Sequence, residues 1–217
     1  MQNGRPYQTS AITSVAGSLE VPTVGYNAFH TAHSLIDKMI LVDDDWITRG
    51  MANLLEEERF AVEGAGSATL GALLSTPNMV PELKGKTVVC VITGANIDHA
   101  TLQRSLERAK AVEGRLIKFT MKLPADEELM KLLKKILSMI SNVGCNIVNC
   151  EIEHAWLTED DFENVNFTLV CETTGLDHAC TLRRVLDRLF PGVCDFLDEP
   201  FSPTVTCVCY PKRHIII

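Results

Sequence analysis

Residues 115–123 read as one segment of alternating apolar and polar side chains, with the period established from Ile117 onward. Ile117, Phe119, Met121 and Leu123 fall on one face, and Lys118, Thr120 and Lys122 on the other. A period of two predicts a half-buried strand. The period then becomes helical. Leu129, Leu132, Leu133, Ile136, Leu137 and Ile140 form one apolar stripe that starts near Glu127, and Gly144 ends it. Alternation returns twice. Val148, Cys150 and Ile152 are expected to face inward, with Asn149, Glu151 and Glu153 outward, and a third strand carries Val165, Phe167, Leu169 and Cys171. Leu182, Val185, Leu186 and Leu189 predict a helix over about 176–190, stopped by Pro191-Gly192, before a last strand near Val193 to Leu197. The order β-α-β-β-α-β is the ferredoxin-like one.

The first hundred residues follow a different grammar. A short strand around Met39 to Val42 runs into Asp43-Asp44-Asp45, carboxylates that suit a helix N-terminus. Ile47, Met51 and Leu55, with Leu54 beside them, predict a helix to about Arg59. In AVEGAGSATLGALL, Gly64, Gly66 and Gly71 sit among alanines, a composition that lets a helix approach another backbone closely and could also admit a ligand. Residues 86–98, KTVVCVITGANID, read as a buried strand over Thr87 to Ile92 that ends in a small polar turn. Such turns lie where α/β proteins bind ligands, at the carboxyl ends of strands. They also serve as plain strand-to-helix connections, with Asn96 or Asp98 capping the helix predicted from His99 to about Ala111.

Composition narrows the function classes. The 217 residues are 46% hydrophobic and 22% charged, enough apolar content for one large core or two modest ones. A net charge of −8 and a pI near 5.2 argue against a nucleic-acid or anionic-membrane partner. The eight cysteines include no Cys-x-x-Cys pair, so reduced thiols in the cytosol are expected rather than a metal framework or disulfide scaffold. The first twenty residues hold one arginine and no long apolar run, which fits neither a secretory signal nor a membrane span and disfavours a mitochondrial presequence. His30 and His33, an i, i+3 pair, have no obvious acidic or thiol companion, so a solvated or capping role is expected of them. His154 and Trp156 are read as a packed strand pair, and Cys90 as an apolar filler.

The motifs resemble a known family. VEGAGSATLGALL (62–74), LKGKTVVCVITGANID (83–98) and GRLIKFT (114–120) are similar to the C-terminal half of a threonine dehydratase, a pyridoxal-phosphate-dependent family of the tryptophan-synthase-like fold. VPTVGYNAFHTAHSLIDKMILVDDDWI (21–47) resembles the segment that precedes these motifs. NIVNCEIEHAWL (146–157) and LVCETTGLDHACTLRRVL (169–186) resemble the ACT-like regulatory module that some members carry. The resemblance covers roughly residues 19 to 198. It implies an α/β, partial tryptophan-synthase-like fold over 19–112, followed by an α+β ferredoxin-like ACT-like domain over 114–198. Residues 1–18 would be a poorly ordered leader and 199–217 a tail.

For function, the resemblance implies a lyase that converts L-threonine to 2-oxobutanoate, or L-serine to pyruvate, and ammonia. It places Thr93 against the pyridine nitrogen of the cofactor. Gly94 and Asn96 match the family's turn, Ala95 replaces a glycine in it, and Glu63 and Gly64 match the pocket wall. A neutral hydroxyl at Thr93 would leave the ring nitrogen largely unprotonated, which suits β-elimination. Glu63 also reads as a solvated carboxylate at a helix start. The family's Ser-x-Lys-x-Arg-Gly motif, with its Schiff-base lysine, does not occur, and VEGAGS is not the phosphate-cradling loop. No catalytic residue is assigned, and the chain is expected to be a C-terminal portion of the enzyme, inactive alone. The alternatives are a non-catalytic ACT-like module forming homo-oligomers, and a decayed product without a stable function. The module's turn KLPADEELMKLL (122–133) lacks the glycine with which relatives hold an amino-acid carboxylate, so weak amino-acid binding is expected there.

Overall fold

The structure is a computed structural model that describes residues 4–10, 13–75, 80–154, 163–197 and 206–209. The chain divides into two compact units, residues 1–109 with 202–217, and residues 110–201.

The first unit contains α1 (Tyr26–His33), β1 (Lys38–Leu41), α2 (Asp44–Glu57), α3 (Gly64–Ser75) and most of α4 (His99–Val112). Asp43 caps α2 by accepting the Trp46 N–H at 3.1 Å, while Asp44 and Asp45 add charge to the first turn. The predicted stripe is buried at Ile47, Met51 and Leu54 and packs with Val62 and Ala16. The glycines of α3 do bring two backbones together. A Cβ on Gly50 would stand 2.9 Å from the Ser67 carbonyl oxygen, and one on Gly71 2.7 Å from that of Trp46. Ser67, fully buried between the helices, donates its hydroxyl to the Ile47 and Gly64 carbonyls.

Three features of this unit differ from the sequence reading. Residues 87–92 do not form a strand: the segment has no regular secondary structure and belongs to neither sheet, and Val89 and Val91 are 83% and 67% exposed. The apolar run predicts a strand buried between neighbours, and among the described residues no neighbouring strand supplies the ladder. The leader expected over 1–18 is ordered at its end, where Ser14 and Val15 bind Asp44 and a short 3₁₀ turn spans Gly17–Leu19. A strand β6 (Thr206–Cys209), within the segment expected as a tail, pairs antiparallel with β1.

The second unit holds β2 (Leu116–Pro124), α5 (Leu129–Val143), β3 (Asn146–Glu153), β4 (Asn164–Glu172), α6 (Leu176–Leu189) and β5 (Cys194–Phe196). Its sheet is antiparallel in the order β3-β4-β2-β5. The alternation of β2 and β4 resolves into an inner face of Ile117, Phe119, Met121, Leu123, Val165, Phe167, Leu169 and Cys171, all essentially solvent-free. Ile136, Ile140, Leu182 and Leu186 cover it. Gly144 ends α5 in the left-handed region at φ 87°, as its position predicts.

β3 departs from its predicted burial. A bulge between Ile147 and Asn149 displaces Val148, and the edge position leaves the expected inner residues uncovered. Val148 is 59% exposed, Ile152 40%, and Cys150 is exposed as well. The alternation marks which face a side chain takes, whereas burial depends on what lies over that face. Trp156 lies outside the described residues.

Candidate functional site

Three chain segments meet beside the N-terminus of α3: residues 14–18, 62–67 and 93–96. The Glu63 N–H donates to the Gly94 carbonyl at 3.0 Å. Gly94 has φ 73°, and a Cβ there would stand 2.5 Å from Glu63 Oε1, so the glutamate side chain lies across its α-carbon. Gly66 abuts the Thr93 carbonyl, and Gly64 abuts that of Val15. Each contact needs the missing side chain. Ser18 completes the arrangement by donating its hydroxyl to Glu63 Oε1 at 2.9 Å.

Of the residues singled out from sequence, the structure brings together Glu63, Gly64, Thr93 and Gly94. Thr93, Gly94 and Asn96 form an exposed turn, Glu63 is half-buried and Gly64 is buried. Asp98, not Asn96, caps α4: its carboxylate accepts the Thr101 N–H at 2.9 Å, and its hydrogen bonds to Thr101 hold it below the ordinary 3.8. Sequence reasoning missed Ser14 and Ser18, and it read Asp44 only as a helix-start carboxylate, not as the partner of Ser14 and Val15. No local pattern marks these bonds, because the partners lie on separate segments.

The chemistry of this wall is one-sided. It offers the hydroxyl of Thr93, the amide of Asn96 and the carboxylate of Glu63, and none of the three segments carries a lysine or arginine. The uncharged hydroxyl and amide suit the neutral, nitrogen-bearing edge of an aromatic ring, while the Glu63 carboxylate is taken up by the Ser18 hydroxyl. The set suits neither a phosphate, which the carboxylate repels, nor a carbonyl that requires a lysine amine.

The second unit contains a thiol–imidazole pair that looks reactive and is not. Cys145 Sγ lies 3.4 Å from His178 Nε2, but Nε2 also sits 2.9 Å from the Val143 carbonyl. Nδ1 accepts the Thr174 N–H at 3.2 Å. The proton therefore resides on Nε2 and points to the carbonyl, leaving no basic nitrogen for the thiol. Burial also pushes the Cys145 thiol up, and His178 acts as a brace. A cleft of about 590 Å³ is lined by Arg115, Gly144, Asn146, Glu172, Thr173 and Thr174. Its charges are already paired, Arg115 with Glu113 at 3.4 Å and Glu172 with Lys110 at 2.9 Å. Among the described residues no group of His, Cys, Asp and Glu is arranged to hold a metal ion, and no helix is long and apolar enough to cross a membrane. The His30 and His33 rings instead pack against Tyr26 and Phe29, with centroids 4.4 and 4.8 Å apart.

Comparison with known proteins gives the wall its context. Residues 1–94 match the family model described as pyridoxal-phosphate dependent enzyme. The L-threonine ammonia-lyase of Geobacter sulfurreducens is 33% identical over 147 residues, 68% of this chain and 35% of that protein. The L-threonine ammonia-lyase of Thermotoga maritima is 25% identical over 189 residues, 86% of this chain and 44% of that one. A biosynthetic L-threonine dehydratase of Lactococcus lactis is 30% identical over 111 residues, 51% of this chain and 26% of its own. The chain belongs to the pyridoxal-phosphate-dependent enzymes. Within them its family is that of the threonine ammonia-lyases, also named threonine dehydratases, and the cofactor this family implies is pyridoxal phosphate. The chain spans 35% and 44% of the length of the first two relatives.

Proposed function

We propose that the first unit supplies the ring-nitrogen wall of a pyridoxal-phosphate site in a lyase that deaminates L-threonine or L-serine. The observation that carries this reading is the convergence of Glu63, Gly64 and the Thr93–Asn96 turn, which sequence alone leaves on separate segments. When bound, the cofactor supplies the electron sink that lets a hydroxyl leave from the substrate's Cβ. The Thr93 hydroxyl would face the ring nitrogen and, being uncharged, would leave that nitrogen neutral. Asn96 extends the polar edge of the turn. Gly94 allows the Glu63 side chain to close over it, and Glu63 sets a carboxylate limit to the wall. The 217 residues do not include the Ser-x-Lys-x-Arg-Gly motif, so the wall binds and orients while the covalent anchor comes from elsewhere.

The same reading makes residues 114–198 an ACT-like regulatory domain of ferredoxin-like topology, appended to the catalytic portion at 19–112. The element order, the strand order and the two helices over one face support it. A second reading, a non-catalytic module that assembles copies of the chain, is favoured by the open β3 edge with its exposed Ile147, Val148 and Ile152.

The visible spectrum of the purified chain after incubation with pyridoxal phosphate and dialysis tests the proposal. No surviving covalent band is expected. A stoichiometric, borohydride-reducible adduct at one lysine would overturn the division between wall and anchor. Unchanged amide resonances at Thr93 to Asn96 on cofactor addition would overturn the wall itself.

A further inference from the structure

The Ser14–Ser18 strap is fastened from both sides. Ser14 Oγ donates to Asp44 Oδ1 at 2.5 Å, and the Val15 N–H donates to Asp44 Oδ2 at 3.3 Å. The Ser14 N–H donates to Glu20 Oε1 at 2.5 Å, and Ser14 Oγ also accepts the Ala16 N–H at 3.0 Å. Asp44 opens α2, so the strap is tied to the helix whose apolar face builds the unit's core, where Ala16 is itself buried. On its other side the Val15 carbonyl rests against Gly64. Ser18 therefore reaches Glu63 from an anchored backbone.

We propose that Ser18 is the positioning residue of the candidate cofactor wall, holding the Glu63 carboxylate across the Gly94 turn. The atom that accepts the Ser18 hydroxyl is Oε1, the same oxygen that a Cβ on residue 94 would meet. A glutamate has three rotatable bonds, and a half-buried one leaves for water unless something restrains it. The hydroxyl-to-carboxylate bond is charge-assisted and supplies that restraint. Neither partner is singled out by the other's surroundings in sequence. Ser18 contributes no group to the reacting atoms, and its effect passes through Glu63. The inference rests on the reading of Thr93 to Asn96 as the ring-nitrogen edge.

The test uses the full chain and the variants Ser18→Cys, Ser18→Ala and Ser18→Thr. Two readouts are taken. One is hydrogen exchange at the Glu63 amide, which is bonded to the Gly94 carbonyl. The other is fluorescence titration with 4′-deoxypyridoxine 5′-phosphate, which has the ring and phosphate but no aldehyde to react with surface lysines. Ser18→Cys and Ser18→Ala are expected to speed Glu63 exchange and to weaken probe binding by about three- to tenfold, the scale of one hydrogen bond to a charged group at a half-exposed site. Ser18→Thr keeps the hydroxyl and is expected to restore both. Unchanged Glu63 exchange in folded Ser18→Cys overturns the inference, whatever the probe does. If the wild-type chain gives no saturable probe signal while Ser18→Cys still frees the Glu63 amide, the positioning role stands and the ring-edge reading falls. Should Ser18→Ala unfold the first unit, the near-isosteric Ser18→Cys decides alone.

Discussion

Gly66 presses its bare α-carbon against the carbonyl oxygen of Thr93, leaving no room for a side chain between α3 and the segment at 93–96. The obstacle is backbone, which cannot rotate away. Gly66→Ala is therefore expected to cost about 1–3 kcal/mol, toward the upper end of the overpacking range. Gly94→Ala meets the flexible Glu63 side chain instead, and its cost comes from the positive φ, about 1–2 kcal/mol. Urea denaturation followed at Trp46 checks the order. A Gly66→Ala protein as stable as wild type would show that α3 and the turn are not in contact.

In the second unit Leu182 is fully buried whereas Leu189, on the same helix, is 43% exposed. Leu182→Ala is expected to cost about 2–5 kcal/mol, and Leu189→Ala well under half of that. Equal losses, measured by thermal unfolding, would contradict the packing of α6 on the sheet.

Burial pushes the Cys171 thiol up to about 12 and that of Cys194 to about 11. Both should stay protonated and unreactive toward a thiol reagent at pH 8 in the native chain. The exposed Cys150 and Cys180 should label first. Site-resolved mass spectrometry after a brief pulse distinguishes these thiols, and early labelling of Cys171 would mean that the sheet opens.

A hydrogen bond from Lys110 holds the Glu172 carboxyl below its ordinary 4.5. A carboxyl depressed in the folded state stabilises above its unfolded value, and that contribution is lost as pH falls below about 4.5. The stability difference between wild type and Lys110→Met should thus shrink as pH drops from 6 to about 3. Because both side chains are more than a third exposed, it should shrink in 1 M salt as well. A difference that grows on acidification would rule the pair out.

Among the described residues of the second unit, the β3 edge exposes Ile147, Val148 and Ile152, a surface suited to self-association. A lysine among its exposed apolar side chains should block strand pairing, so Ile152→Lys is expected to weaken any dimer by at least about tenfold in sedimentation experiments. An unchanged association constant would move the interface elsewhere.

Local periodicity determined much of this molecule. The alternation around Phe119 and Phe167 and the stripes through Ile136 and Leu186 each contain their own period, so the β-α-β-β-α-β order was legible without any long-range contact. The α2 start was legible too, because Asp43 and its Trp46 partner are three residues apart. The glycines of AVEGAGSATLGALL indicated close approach, although not to what.

Tertiary structure decided the rest. Val89 and Val91 have strand-forming side chains, yet a strand exists only when another backbone accepts its hydrogen bonds, and that neighbour is not encoded in the segment. Val148 alternates correctly, but a bulge and an edge position leave it in solvent. Thr93, Gly94, Glu63 and Gly64 were recognisable as a motif, whereas Ser18 was not. A serine in a Gly-Ser-Leu stretch has no local reason to face one carboxylate rather than water. Only the folding of the strap against Asp44 and Gly64 brings its hydroxyl to 2.9 Å from Glu63, since a contact between distant segments leaves no periodic trace in either of them.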